Sequence, residues 1–247
     1  MKRLFLLILN TLSFFGVLYL NYLFGSGASG RKSVGDVSSQ YDTLITPAGY
    51  AFSIWGFIYL LLIGYLAYQW ISYFKGTYEK SIDPSSIWFA ASNIFNGLWI
   101  YVWTEELLFL SVIVIFVLLV SLLILVRQLQ LGSTTNAPYF LTQLPITFYL
   151  GWIIVASVVN TSVWFYAKDL FMHIEVLMTA IILVVSTLIY LFLSLKYRLK
   201  VPSWVGVWAF LAIYFKTGNE YPIIGYLIIF LVLILIISNL FVLKNKI

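Results

Sequence analysis

Residues 107–126 read LLFLSVIVIFVLLVSLLILV, an unbroken apolar stretch without a charged side chain. A helix needs about 20 apolar residues to cross the hydrocarbon core of a bilayer. A transmembrane β-strand would instead alternate apolar and polar residues over about 10 positions. Because this stretch is continuous and about twice that long, it predicts a membrane-spanning helix rather than a barrel strand.

The composition of the whole chain agrees with this prediction. Of the 247 residues, 62% are hydrophobic and 9% are charged, and the mean hydropathy is +1.00. Soluble domains carry about 25% charged residues, so water is not the main solvent of this chain. We therefore expect an all-α fold, a polytopic transmembrane helical bundle.

Apolar stretches of this kind recur along the chain and predict about eight spans. The longest loop between them is Gly25–Pro47, and a loop of that length without periodicity is usually a functional lid or disordered. The seventh span is short and is either a true crossing or a re-entrant segment. The predicted spans are Leu4–Phe24, Tyr50–Phe74, Ile87–Thr104, Leu107–Val126, Leu144–Tyr166, Leu170–Leu195, Val201–Phe215 and Tyr221–Leu243.

The first span has an alternative interpretation as a cleaved signal peptide. Lys2 and Arg3 would form its positive n-region, and Ser26–Gly30 would supply small residues for cleavage. The apolar stretch is longer than the usual h-region of about 7–15 residues. This length favours a helix that stays in the protein.

Lysine and arginine residues predict the orientation of the spans. Arg31, Lys32, Lys168 and Lys216 lie in one set of loops, and the other ten of the 14 basic residues lie in the opposite set. By the positive-inside rule, both termini are cytoplasmic and Gly25–Pro47 is external, most simply in a bacterial inner (cytoplasmic) membrane. The ten are Lys2, Arg3, Lys75, Lys80, Arg127, Lys196, Arg198, Lys200, Lys244 and Lys246.

Several kinds of site are excluded by what the chain lacks. Cysteine is absent, which excludes disulfides, thiolate chemistry and Cys-ligated metals. His173 is the single histidine, so one chain cannot form a His-cluster metal site. The basic residues are scattered among loops, which indicates topology rather than nucleic-acid binding. There is also no phosphate loop and no nucleophile elbow.

Aromatic and amide side chains form stripes on three predicted spans. The aromatic content of 19% exceeds what interfacial belts need, and aromatic residues also line pockets for flat apolar ligands. At about 100° per residue, the members of each stripe share a helix face. The stripes are Phe52, Trp55 and Tyr59 on the second span, Ser92, Asn96, Trp99 and Trp103 on the third, and Tyr149, Trp152, Ala156, Asn160 and Trp164 on the fifth.

Spacing alone favours a packing role for these stripes, in which Asn96 and Asn160 bridge helices. The ionisable residues near the spans are weaker candidates for a functional site. Glu105 and Glu106 lie in a short external turn, where we expect them to be solvated. His173 and Glu175 begin the sixth span, and residues two apart point to different faces of a helix.

The stripes resemble the tryptophan-rich sensory protein, or translocator protein, family (TspO/MBR, the peripheral benzodiazepine receptor family). The fifth helix of that family has Tyr, Trp, Ala, Asn and Trp in a fixed spacing, which residues 149–164 match without a gap. Its third helix has Asn, then Trp three residues later, then an aromatic, as residues 96–103 do. Its second helix opens with Pro and Trp, followed by Phe, Trp and Tyr. The corresponding residues 46–55 of this chain read TPAGYAFSIW and are followed by Tyr59.

The resemblance covers about residues 1–166, a five-helix core, and leaves three C-terminal helices unmatched. We therefore expect a TspO/MBR-like core at 1–168 and three additional transmembrane helices at 169–247. The chain also departs from the family pattern at four places. They are Pro47-Ala48 for the double Pro, Tyr50 for the Trp of the first loop, one residue fewer between Phe52 and Trp55, and a longer interval from Pro145 to Trp152.

The resemblance implies a bundle that binds porphyrins, haem-like tetrapyrroles or sterols in a pocket beneath the first loop, for sensing, binding or transport. It favours the pocket interpretation of the stripes over packing. It requires no cofactor, and a porphyrin or haem-like molecule is the expected ligand. The implied ligand-binding residues are Tyr50, Phe52, Trp55, Tyr59, Asn96, Trp99, Trp103, Tyr149, Trp152, Ala156, Asn160 and Trp164.

Two other functions stay open at this point. A small secondary transporter would use His173, Glu175 or Glu106 for coupling. A membrane enzyme acting on an isoprenoid or pigment would need a carboxylate that the stripes lack, so we make no claim of catalysis. The expected partners are the lipid bilayer and a hydrophobic small molecule. We expect no nucleic-acid partner, and a homodimer is one assembly that experiment can test.

Overall fold

The computed structural model describes residues 1–78, 81–131 and 138–244, and all regular structure in these ranges is helical. The fold is therefore of the predicted all-α class. Lys80 and Lys246, two of the residues used to predict orientation, lie outside the described residues. The α-helices are α1 (Lys2–Leu20), α2 (Val34–Gln40), α3 (Ile54–Phe74), α4 (Ile82–Ser85), α5 (Trp88–Thr104), α6 (Leu108–Gln128), α7 (Gln143–Tyr166), α8 (Glu175–Tyr197), α9 (Lys200–Thr217) and α10 (Pro222–Lys244).

Eight of these helices lie where the sequence predicts spans. In the described part of the chain, six segments are long and apolar enough to cross a membrane, so the protein is a polytopic helical membrane protein. The other two of the eight helices, α5 and α9, have 17 and 18 residues and do not meet the combined length and hydropathy requirement for a crossing. That α5 and α9 also cross stays a prediction. The six are Lys2–Gly25, Gly49–Phe74, Leu108–Gln128, Gln143–Tyr166, Glu175–Tyr197 and Pro222–Phe241.

Helix α8 begins five residues later than the apolar pattern predicts. Asp169 and Phe171 have left-handed backbone, with φ of 55° and 65°, which interrupts a right-handed helix. The amide of Leu170 turns back to the carbonyl of Phe165 at 2.9 Å and closes α7. A short turn therefore separates α7 from α8, although the apolar run continues through it.

Hydroxyl side chains inside the apolar helices donate to the helix's own backbone. Ser111, Ser121 and Thr187 each donate to a carbonyl three or four residues earlier, at 2.7–2.8 Å. These hydroxyls are buried, and a buried polar group without a hydrogen bond is costly, so the local bond avoids an unsatisfied polar group. This is why serine and threonine are tolerated along such spans.

The chain divides into two compact units. Unit 1 contains Met1–Val37 and Ile54–Leu150, and unit 2 contains Ser38–Ser53 and Gly151–Ile247. The division falls within α7 rather than at residue 168. An independently folding 1–168 core stays a prediction.

In unit 1, α5 packs along both α1 and α6. Gly97 lets α1 approach α5 closely, because a Cβ at that position would lie 2.6 Å from the Cδ1 of Leu20. Phe89 of α5 stacks on Phe14 of α1 at 6.4 Å and meets Tyr65 of α3 edge-on at 5.0 Å. A small residue at the point of approach, flanked by interlocking rings, is typical of membrane helix packing.

In unit 2, α8, α9 and α10 pack against one another, and α9 also lies against the second half of α7. A Cβ on Gly151 would lie 2.9 Å from the Cα of Pro202, so only glycine allows α7 and α9 to come this close. Buried Tyr190 of α8 donates to the carbonyl of Gly151 at 2.8 Å. Ser203 of α9 donates in turn to the carbonyl of Tyr190 at 3.3 Å.

The Gly25–Pro47 loop contains the short helix α2, which the sequence analysis did not predict. Its N-terminus is closed by a reciprocal pair of hydrogen bonds. The Ser33 amide donates to the Asp36 carboxylate at 2.8 Å, and the Asp36 amide donates to the Ser33 hydroxyl at 3.0 Å. This is a capping box, and the bonds from Ser33 hold the pKa of Asp36 below its ordinary value.

Candidate functional site

Tyr59 of α3 joins two amide side chains in the interior of unit 1. Its hydroxyl accepts a hydrogen bond from Nδ2 of Asn21, at the C-terminal end of α1, at 2.9 Å and one from Nδ2 of Asn96, on α5, at 3.4 Å. Asn96 is completely buried, and its Oδ1 has no hydrogen-bond partner among the described residues. One hydrogen-bond acceptor of the predicted site is therefore left open.

Two aromatic rings adjoin this hydroxyl. The Trp55 indole stacks on the Tyr59 ring, with centroids 5.4 Å apart and planes at 23°, and meets the Tyr149 ring edge-on at 6.0 Å. The Tyr149 hydroxyl donates to the carbonyl of Ser92 on α5 at 3.3 Å. We refer to Trp55, Tyr59, Asn96 and Tyr149 as the Tyr59 cluster, and all four are predicted site residues.

Trp99 and Trp103, also predicted site residues, form a second pair on α5. Their rings stack at 5.8 Å and 24°, and both side chains are buried. The indole N–H of Trp103 donates to the carbonyl of Val34 in α2 at 3.2 Å. The first half of the long loop thus lies over the C-terminal end of α5.

Two ion pairs hold this half of the loop. Arg31 pairs with Glu105 at 2.5 Å, and Lys32 pairs with Glu106 at 2.5 Å. The Arg31 guanidinium also lies over the ring of Tyr101 at 5.2 Å. The prediction that Glu105 and Glu106 are solvated missed these partners, because the partners lie more than 70 residues away in sequence.

The other predicted site residues belong to unit 2. Phe52 meets the Trp152 ring edge-on at 6.1 Å. Tyr50 is 47% exposed and meets Trp208 of α9 edge-on at 5.4 Å, while the Trp208 indole N–H donates to the carbonyl of Ala51 at 3.3 Å. These contacts hold residues 50–52 against α7 and α9 within unit 2.

The last three members of the fifth-span stripe lie along the second half of α7. Asn160 is buried, and Ala156 and Trp164 are half-buried. The Trp164 ring lies against that of Phe165 at 5.2 Å and 37°. The structure thus brings together the four members of the Tyr59 cluster, the pair Trp99 and Trp103, and the pair Phe52 and Trp152. That all twelve predicted residues face one cavity stays a prediction.

A partly open cavity lies in unit 2, at the C-terminal end of α7 and the N-terminal end of α8, with about 390 Å³ of unfilled space that includes space open to the surroundings. None of the twelve predicted site residues lines it. Sequence reasoning had singled out only one of its residues, Glu175, as an ionisable group at a span edge. The cavity is lined by Thr43, Ile45, Ser162, Phe165, Tyr166, Leu170, Phe171, Glu175, Met178, Thr179 and Ile182.

Across the described ranges, no group of three or more His, Asp or Glu side chains is arranged to hold a metal ion. The ionisable residues considered for a transporter have different surroundings: Glu106 pairs with Lys32, His173 is exposed, and Glu175 lines the cavity of unit 2.

Comparison with known proteins gives a family but no individual relative. No curated protein and no solved structure matches the chain. The model of one family, described as TSPO-like protein, matches residues 7–241. The match includes the three C-terminal helices, which lie beyond the 1–166 region where the sequence motifs were found. The chain belongs to the TSPO-like protein family.

Proposed function

We propose that this integral membrane protein binds a flat hydrophobic ligand of the tetrapyrrole class, with the Tyr59 cluster as part of the site. The observation that carries the proposal is the amide of Asn96. Its Oδ1 is buried and has no hydrogen-bond partner among the described residues. A buried acceptor without a partner costs about 1–3 kcal/mol. A ligand that donates an N–H or O–H to this oxygen would recover that free energy.

The rings beside Asn96 suit a planar ligand. Trp55 and Tyr149 present indole and phenol surfaces close to the amide, and both are already in contact with each other. A planar ligand that stacks on an aromatic side chain gains about 0.5–1.5 kcal/mol beyond the effect of area burial. A macrocycle with a polar edge combines this stacking with a hydrogen bond to Asn96.

Substitution of Asn96 separates binding from packing. In Asn96→Leu, Tyr59 keeps its hydrogen bond from Asn21, so we expect thermal stability in detergent to change little. The hydrogen bond to the ligand is lost, and we expect affinity for protoporphyrin IX to fall by about tenfold, the equivalent of about 1.4 kcal/mol. Quenching of tryptophan fluorescence during a porphyrin titration measures the affinity.

Asn93→Leu is the matched control. Asn93 lies one turn earlier on α5, is equally buried, and also has an Oδ1 without a partner in the described chain, but its amide contacts Ser13 of α1. We expect this variant to bind porphyrin as the wild type does. Equal affinity of wild type and Asn96→Leu would remove Asn96 from the site and leave the packing interpretation.

We also propose that the protein lies in a bacterial inner membrane with both termini in the cytoplasm. The support is the distribution of basic residues, ten in one set of loops and four in the other. The loop that contains Arg31 and Lys32 is then external. A ligand would reach the Tyr59 cluster either from that side or from the lipid.

Secondary transport is the second candidate function. The observation in its favour is the carboxylate of Glu175, which lines a cavity in unit 2. Transport through this cavity would require a gradient, whereas ligand binding at the Tyr59 cluster would not. Uptake of a ligand into protein-containing vesicles, with and without an imposed proton gradient, distinguishes the two.

A further inference from the structure

The cavity of unit 2 is partly open and has the walls of a small-molecule site. About 390 Å³ of unfilled space, part of it open to the surroundings, lies between these walls. Three aromatic rings, those of Phe165, Tyr166 and Phe171, line it together with the flexible thioether of Met178. Phe165 and Phe171 meet edge-on at 5.4 Å, so part of the wall is a fixed aromatic corner.

One carboxylate interrupts this mainly apolar lining. Glu175 is half-buried, and its Oε1 accepts a hydrogen bond from the backbone amide of Leu44 at 3.2 Å. No lysine, arginine or histidine in the described chain forms a salt bridge with it. A carboxylate that lines an apolar cavity without a basic counterpart is a site where a cationic group gains both charge attraction and apolar contact.

The surrounding groups favour a cation over a neutral donor. Aromatic faces attract ammonium groups within about 6 Å of the ring centroid, and three rings line the same cavity as the carboxylate. Among the lysines of unit 2, Lys216 pairs with Asp42 and Lys168 is exposed. A ligand with one positive charge on an apolar body matches this combination.

A structural role for Glu175 is the competing explanation. The residue is the first of α8, where a carboxylate is stabilised by the helix dipole, and its bond to Leu44 fastens the loop. Such a role needs an acceptor at this position but no ligand. Glutamine keeps the acceptor and removes only the charge, so the two roles are separable by experiment.

We propose that the cavity binds a hydrophobic organic cation, with the ammonium group at Glu175 and the apolar body against Phe165, Phe171 and Met178. This site is additional to the Tyr59 cluster and shares none of its residues. The ligand class is an amine or quaternary ammonium compound that bears an aromatic or branched aliphatic group.

The test compares a fixed cation with its uncharged carbon analogue. Benzyltrimethylammonium and neopentylbenzene have the same shape and differ in the charge of one atom. We expect the purified full-length protein in detergent to bind the cation by isothermal titration calorimetry. Glu175→Gln should weaken that binding about tenfold or more, because the Coulombic attraction between the carboxylate and the cation is lost. Affinity for the neutral analogue should be unchanged by the substitution.

Three further variants keep the result interpretable. Glu220→Gln removes the same charge from an exposed residue in the turn between α9 and α10 and should leave cation binding unchanged. Met178→Trp keeps Glu175 but fills the cavity, and should abolish binding of the cation. Thermal melts identify any variant that fails to fold, and Glu175→Asp, which keeps the charge, should then retain binding that Glu175→Gln loses.

Three outcomes would overturn the proposal: no binding of the cation by wild type, equal affinity in wild type and Glu175→Gln, or full binding in Met178→Trp. Each is independent of porphyrin binding by the Tyr59 cluster, because none of these residues belongs to that cluster. Competition by excess porphyrin should likewise leave the calorimetric signal of the cation in place.

Discussion

Gln69 of α3 is fully buried and connects two other elements of unit 1. Its Oε1 accepts from Nδ2 of Asn10 on α1 at 3.0 Å, and its Nε2 donates to the Ser85 hydroxyl on α4 at 3.3 Å. Ser85 also lies 3.5 Å from the Asn10 amide. Three side chains thus supply one another's hydrogen bonds in a region where lipid and apolar neighbours supply none.

We expect Gln69→Leu to destabilise the protein by about 0.5–2 kcal/mol, the range measured for polar contacts between membrane helices. The loss arises because the Asn10 amide keeps its burial but loses its best acceptor. The double variant Asn10→Leu, Gln69→Leu removes both partners and should lose less than the sum of the single variants. Thermal or denaturant unfolding in detergent measures each value, and strict additivity would contradict the coupling.

These polar residues show what residue-level sequence reasoning can and cannot detect. Asn96 was identified because an aromatic stripe accompanies it on the same helix face. The sequence analysis singles out neither Asn10 nor Gln69, and their meeting depends on how α1 and α3 pack, which spacing within one helix does not reveal. The same holds for Glu105 and Glu106, whose partners come from the distant loop.

At the scale of elements, the short helix α2 depends on a charge. The Asp36 carboxylate accepts from the Ser33 amide, and this bond lowers the pKa of Asp36. A carboxylate with a lowered folded-state pKa stabilises the structure above its unfolded pKa of about 3.9. That contribution is lost as pH falls through the lowered value. The N-terminal cap of α2 should therefore weaken on acidification below about pH 4.

Hydrogen exchange of residues 33–40 tests this expectation. We expect wild type to protect these amides more than Asp36→Asn at pH 6, and the difference to shrink at pH 3. The ion pairs of Arg31 and Lys32 are present in both proteins, so their effect cancels in the comparison. A difference between the two proteins that does not change with pH would contradict a role for the Asp36 charge.

The long helices were predictable from the chain because each is an apolar run of nearly the length a bilayer requires. Two features were not. Helix α2 has seven residues, too few to show a helical apolar period, and only its Ser33 and Asp36 cap could have indicated it. The start of α8 depends on the left-handed backbone at Asp169 and Phe171, which apolar residue types do not encode.

At the scale of the whole molecule, the outer surface of the helices is apolar. Phe5, Leu60, Leu188 and Ile223 are each at least 59% exposed. Patches of this kind on a protein in water would cause aggregation, whereas lipid tails are their natural neighbour. Membrane residence therefore follows from the surface as well as from the lengths of the helices.

The proposed orientation is testable because the chain contains no cysteine. Ser29 in the long loop and Lys75 at the end of α3 are both exposed, and each can be replaced by a single cysteine. We expect a membrane-impermeant maleimide to label Ser29→Cys in cells with an intact inner membrane, and to label Lys75→Cys only after that membrane is disrupted. Labelling of both under the same condition, or of Lys75→Cys alone in intact cells, would contradict the orientation.

The contacts of the long loop also set an order of events during synthesis. Lys32 and its partner Glu106 are 74 residues apart, whereas Asp42 and its partner Lys216 are 174 residues apart. At about 5–20 residues per second, a ribosome needs roughly 4–15 s to supply the first partner and roughly 9–35 s to supply the second. The first half of the loop can therefore dock while its second half waits for nearly the whole chain. The cavity wall formed by Thr43 and Ile45 is thus among the last parts of the protein to be completed.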